Sequence, residues 1–435
     1  MVTQFNRTSM MRIFIGLSVL FFFMGCGNRS ESLINTAHLD HLFQKIELNG
    51  EQVGIIHIYA EYPDYTWTEA PGEGIACVDD VARAAVFYLR YAGYTGKEEY
   101  ENKARYLLKF ILQMQAENGF FYNFISASHT IDKELNNSLP QGNWWSWRAL
   151  WALSEAYLFY REKDADFAAI LQAAMHKIIK AISENTTSYP STTDYMGLTL
   201  PTWLPLQYAA DQAALIIIAL APYYRLHPDP AVRDFIERMA EGILLMQVTA
   251  KNIFLSGAFL SWKNTWHAYG NSQAEALFIA ADILQSSKYS EAAQNELDGF
   301  IQNIQKDGFY NTISVRSEKD TIFVTKKQHF PQISYGIRPM VFAALRSYHL
   351  TKRVKYARQA GEIARWLFGE NKARTQVYDP ATGRCFDGIE NANKINLNSG
   401  AESTIEALLI LLAVEQTPLA RQIVTRYYQK RNIQK

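Results

Sequence analysis

A period constrains this chain more than any motif. Apolar helical patterns begin near residues 78, 144, 207, 270, 335 and 399, at spacings of 63 to 66 residues. Spacing that regular marks an internal repeat of architecture. Each start opens a pair. The pattern predicts helices near 78–94, 96–116, 144–161, 164–183, 207–226, 229–248, 270–285, 288–304, 335–349, 352–369, 399–414 and 417–431. Short turns such as "YTGK", "REKD" and "LHPDP" join the members of a pair, and long loops separate the pairs.

The two helices of a pair differ in kind. The first is apolar nearly all round, as in "AALIIIALAPYY" (213–224), so it must be buried on every side. The second is amphipathic, as in "AVRDFIERMAEGILLMQ". Repeated six times, this predicts an inner ring inside an outer ring: an all-α (α/α)6 barrel. An open solenoid would need polar end repeats, and the first and last inner helices here are as apolar as the middle ones. Long alternating runs are absent, so no extended sheet is expected. The inner helices all begin beside long loops. That face should hold the site, with six helix N-termini turned toward it.

Composition narrows the function. The 435 residues carry 43 basic and 43 acidic side chains. Zero formal charge argues against a nucleic-acid partner, which requires a basic face. Aromatic residues make up 13% of the chain, which suits a large core and also the stacking of sugar rings.

The first 25 residues read as a signal peptide: Arg7 and Arg12 precede the apolar run "IFIGLSVLFFFMG". "FMGC" resembles a lipoprotein processing box with Cys26 as the lipidated residue, although Phe23 stands where Leu is usual. Residues 26–36 read as a tether and 37–435 as one barrel domain. The expected location is the envelope of a Gram-negative cell, held by the lipid at its outer membrane. The remaining cysteines, Cys77 and Cys385, could pair in an oxidising compartment. They lack nearby His ligands, so no metal site is expected, and no cofactor.

Each inner helix opens with polar or aromatic residues. The first has Asp79, Asp80 and Arg83. The second has "NWWSWR", with Trp144, Trp145 and Arg148. Before the third come Trp203, Gln207 and Asp211; before the fourth, Trp266, His267 and Asn271. The fifth has Tyr335 and Arg338, and the sixth Asn398, Ser399 and Glu402. Carboxylates, amides and indoles around one opening suit a carbohydrate. Trp144, Trp147 and Trp151 share a stripe that suits a core, which leaves Trp145 as the expected sugar platform. Simpler roles compete throughout. One aspartate can cap its helix, and "SGAE" (399–402) reads as a capping box with Ser399 at N-cap and Glu402 at N3. A lone His267 is more often structural than catalytic.

"CVDDVARAAV", "RALWALSEAY", "RCFDGI" and "NLNSGAESTIEALLIL" resemble blocks of a group of bacterial six-hairpin proteins. There a C-V-D-D-x-A-R-A block opens the barrel and an N-x-G-A-E-S-T block closes it. Val81 and Ser154 depart from that pattern, where Asn and Gly are common. The wider clan resembled is the six-hairpin glycosidases, whose sites use carboxylates at the barrel mouth. The resemblance implies this fold and sugar chemistry, and many inverting enzymes in the clan favour inversion by analogy.

In a closed ring the sixth inner helix neighbours the first, so Asp79 and Asp80 should face Glu402, with Asp387 on a loop above them. Paired carboxylates are what glycoside hydrolysis requires. The expectation is a monomeric hydrolase of an oligosaccharide or polysaccharide, with Asp79 or Asp80 as base, Glu402 as acid and Asp387 in reserve. A polysaccharide lyase using Tyr335, His267, His329 or Arg338 is the first rival. A glycan-binding lipoprotein without catalysis is the second.

Overall fold

The structure is a computed structural model and describes residues 32–433 apart from 185–187, 250–253 and 320. Cys26 and the expected signal peptide lie outside the described residues. Residues 32 onward form one compact unit.

Twelve helices make the rings. The inner ones are α1 (Val78–Thr95), α3 (Trp144–Tyr160), α5 (Ala210–Leu226), α7 (Gln273–Leu284), α9 (Ser334–Thr351) and α11 (Ala401–Glu415). The outer ones are α2 (Glu98–Gln113), α4 (Ala165–Glu184), α6 (Pro230–Leu245), α8 (Ser287–Asn295), α10 (Val354–Ala364) and α12 (Pro418–Ile433). Beyond α8 the chain continues through a π-helical stretch, Glu296–Ile301, and a further helical turn, Gln302–Lys306. Each inner helix packs on the next, and α11 packs back on α1, so the ring closes.

Burial follows the sequence pattern. In α5 every residue from Ala210 to Ala221 is buried. In α2 the buried set is Tyr100, Ala104, Leu107, Leu108, Phe110 and Ile111, one face of a 3.6-residue period. Among the described residues, no single helix is long and apolar enough to cross a membrane.

The loops add short strands to the expected helices, and three helix starts are corrected. The interhelix loops carry small antiparallel hairpins, among them Thr192–Tyr195 with Leu198–Pro201 and Thr312–Glu318 with Thr321–Gln328. The Thr192–Tyr195 and Leu198–Pro201 strands are only four residues long, whereas Thr312–Glu318 does alternate, with Ile313 and Val315 buried between half-buried neighbours, a short run that the helical period around it outweighs. The third, fourth and sixth inner helices also begin two or three residues later than expected. Leu206 and Gln207 take positive φ, as does Gly270, and Gly400 is extended. None of these backbones is helical.

Candidate active site

Local structure at the start of α1 sets the site. Its N-cap is Cys77, whose Sγ accepts from the Asp80 N–H at 3.4 Å and donates to Asp80 Oδ2 at 3.3 Å. Neither aspartate is therefore the cap. Both sit in the first turn with their carboxylates turned to other partners.

Arg83, one turn on, is the hub. Its Nη2 lies 2.5 Å from Asp80 Oδ1, and its Nη1 lies 3.0 Å from Glu402 Oε2 and 3.1 Å from Glu406 Oε1. Glu406 also pairs with Arg338. Arg148 reaches Asp79 with one terminal nitrogen and the Tyr335 hydroxyl with the other. The Tyr335 ring lies beneath all three guanidiniums, with centroid distances of 4.9 Å to Arg148, 5.3 Å to Arg83 and 5.7 Å to Arg338. Side chains from α1, α3, α9 and α11 thus meet in one network. Because a guanidinium is a rigid planar fork, the Asp80 and Glu402 carboxylates both lie within about 8 Å of each other.

The acids are not equivalent. Asp80 is buried, and burial raises its pKa from 3.8 to about 6, with Arg83 opposing and Asp79 and Glu402 adding to the rise. Burial also works against ionised Asp79, but Arg148 and Arg83 outweigh it and hold that carboxyl below its usual range. The Asp79 side chain remains 23% exposed and that of Glu402 39% exposed. Both are partly open to solvent, as is Asp387. Burial lifts the Tyr335 hydroxyl to about 12 against the pull of three arginines.

The expected capping box is not formed. The N-cap of α11 is Gly400, with no side-chain cap. Ser399 instead exchanges bonds with the Cys385 backbone, accepting at 3.2 Å and donating at 2.9 Å. Glu402 is thereby left to Arg83. Asp387 accepts the Gly400 N–H at 2.7 Å, and its own N–H donates to the Asn398 carbonyl at 2.8 Å. Burial raises its pKa, and Glu402 beside it adds to the rise. Asn398 also accepts from the Tyr62 N–H at 3.0 Å, so it fastens loops.

Other expected residues go elsewhere. Trp145 is buried and donates its indole N–H to the Phe121 carbonyl at 2.7 Å, so it is core. Position off the Trp144–Trp147–Trp151 stripe does not expose Trp145, because α3 is buried nearly all round. Trp144, at the helix opening, is only half-buried. Its ring lies 5.4 Å from the Arg148 guanidinium, and Gly270 lets it approach: a Cβ there would stand 2.7 Å from both that ring and the Tyr335 hydroxyl.

Trp266 is fully buried against Phe300, and Asn271 is buried and bonds the Ala268 carbonyl at 3.3 Å. His267 Nε2 lies 3.0 Å from Asp211, and its Nδ1 lies 2.7 Å from the Tyr269 carbonyl. Both ring nitrogens are engaged, which suits a fixed wall of the site. Tyr269, which the sequence reading missed, stacks on His267 at 3.9 Å and is 41% exposed. His329 stacks on Tyr310, with Nδ1 2.5 Å from the Phe309 carbonyl. Trp203 and Gln207 line a separate cavity that includes none of the carboxylates above.

Glu406 was also missed. It lies four residues after Glu402 on an otherwise apolar inner helix, and a carboxylate there has to be paired. That was the available signal. Cys77 and Cys385 are free, buried thiols in the structure, not a disulfide. Among the described residues no His, Cys, Asp or Glu cluster is arranged to hold a metal ion.

No protein-family model matches the chain, and no curated protein sequence matches it. Solved structures do. A sugar epimerase from a ruminal bacterium superposes with a TM-score of 0.58 at 13% identity, over 89% of this chain and 96% of that one. The cellobiose 2-epimerase of Bacillus thermoamylovorans B4167 gives 0.56 at 14% identity, over 83% and 92%. A family 76 glycoside hydrolase from a bovine Bacteroides thetaiotaomicron strain gives 0.54 at 13% identity, over 89% and 78%. Together with the closed double ring, these likenesses establish that the chain has the (α/α)6 barrel fold.

Proposed function

We propose that this protein is a carbohydrate-active enzyme and that it hydrolyses a glycosidic bond at the barrel mouth. One observation carries the reading: Arg83 gathers carboxylates from both ends of the chain, and two carboxylates, Asp79 and Glu402, remain partly open to solvent.

The roles follow from environment. Asp79 is kept ionised by Arg148, as a base that activates water must be. Glu402 is engaged through Oε2, and no bond to its Oε1 is seen among the described residues. In this reading it protonates the leaving oxygen. Asp80 lies behind them and sets the charge of the site through Arg83. Trp144 beside Arg148 and Tyr269 beside Tyr335 offer ring faces.

The lyase alternative has weaker support. A lyase needs a cation free to neutralise a uronate and a base of accessible pKa. Arg83, Arg148 and Arg338 are all committed to carboxylates. Tyr335 is pushed up to about 12, and both ring nitrogens of His267 are occupied. A lipid anchor at Cys26 belongs to the same proposal, placing the barrel at the envelope where glycans are met.

The test is a screen of glycans in 18O-enriched water, read by mass spectrometry. Hydrolysis releases a shorter sugar carrying one heavy oxygen. A rearranged product of unchanged mass would replace hydrolysis with isomerisation. A product absorbing in the ultraviolet would replace it with elimination.

A further inference from the structure

A second cavity lies between the second and third hairpins, with a volume of about 740 Å³. Phe120, Trp147, Trp203 and Phe235 supply its rings, and Asn118, Gln141, Gln207, Ser188 and Thr202 its amides and hydroxyls. Among the described residues no ionisable side chain lines it. The contrast within the same molecule is sharp. The cavity at the other end of the barrel, of about 710 Å³, is lined by Arg90, Glu155, Arg225, Glu275, Arg346 and His349. Among the described residues the lining is uncharged, in a chain that is 20% charged, and such a lining disfavours ionic ligands.

Two consecutive rim residues take left-handed backbone. Leu206 and Gln207 are consecutive non-glycine residues with φ of 48° and 72°. Such conformations are uncommon and persist where the surroundings impose them, often at ligand sites. They leave Leu206 57% exposed at the edge of the cavity and Gln207 exposed beside it. The volume falls within the usual range for small-molecule sites, about 300–1,000 Å³. Trp147 immediately precedes Arg148 in α3, so this wall shares a helical turn with the acidic mouth.

We infer that this cavity is a binding groove for an uncharged oligosaccharide. Amides and hydroxyls match sugar hydroxyls, the apolar walls match the C–H faces of pyranose rings, and the described lining offers no cation to a uronate or a sulfated chain. The inference does not depend on hydrolysis at the mouth.

Calorimetric titration tests it, with gluco-, xylo- and manno-hexasaccharides as neutral probes and a galacturonate hexasaccharide as the charged one. At least one neutral probe should bind and the uronate should not. Leu206→Asp and Thr202→Lys each place a charge on the rim, and each should weaken that binding about tenfold or more, with circular dichroism confirming that both variants fold. Binding unchanged in both folded variants would overturn the assignment. So would stronger binding of the uronate, or no neutral probe bound at millimolar concentration.

Discussion

Arg83 and Glu402 stand 319 positions apart in sequence and 3.0 Å apart in the barrel. Their contact joins the first inner helix to the last. It also brings the carboxylate of Glu402 to the same guanidinium that holds Asp80 and Glu406. An ion network of this kind is costly to desolvate, and removing one member leaves others buried and unpaired. A ring held shut by apolar packing alone would have no need of it.

Asp79 depends on Arg148. Its ionised form is favoured by that guanidinium, so the associated stability is present above the usual carboxylate range and fades as pH falls through the lowered pKa. Arg148→Met removes the main counter-charge while burial remains. The acid limb of the pH–rate profile should move to higher pH, and turnover should fall. A limb at the wild-type position would remove Asp79 from the role of base.

Asp80 works in the opposite sense. Its pKa rises from 3.8 to about 6, so between those values the folded protein binds more protons than the unfolded one. Stability conferred by Asp80 therefore declines as pH rises from about 4 to about 6 and levels off above. Asp80→Asn mimics the protonated group and should lose that slope. Melting temperatures across this range check it: the variant should gain on the wild type as pH rises. A constant difference would mean that Asp80 does not titrate there.

The two adjacent indoles should separate cleanly. Trp145→Phe leaves the buried Phe121 carbonyl without its donor, at a cost of about 1–3 kcal/mol, with KM little changed. Trp144→Leu keeps apolar bulk but loses the flat ring, and should raise KM several-fold. Chemical denaturation and steady-state kinetics read the two effects. The reverse assignment would restore Trp145 as the platform.

The anchor is tested apart from the barrel. Cys26→Ser removes the site of acylation, and the protein should leave the membrane fraction, because the acyl chains supply the attachment. Continued sedimentation with membranes would reject lipidation at Cys26.

The barrel was legible because two signals agree over its whole length. The period sets six pairs, and all-round apolarity, as in 213–224, marks which member of each pair is inside. The opening acids were legible because the ring places inner N-termini on one face. What local pattern could not give was partnership. "SGAE" reads as a capping box, yet Ser399 is taken by Cys385, a contact with a distant loop. Trp145 looks free on a helical wheel, but a helix surrounded on every side has no free face. Glu406 seems out of place in an apolar helix until Arg83 and Arg338 arrive from two other helices.

Glu402→Gln tests the central claim most directly. The amide keeps the size of the side chain and can still accept a bond from Arg83, so the melting temperature should change little. It holds no transferable proton at working pH, so turnover on a substrate found by the glycan screen should fall about 10²-fold or more. A folded Glu402→Gln protein that turns over at the wild-type rate would contradict the account, because the acid–base chemistry would then lie outside the Arg83 network.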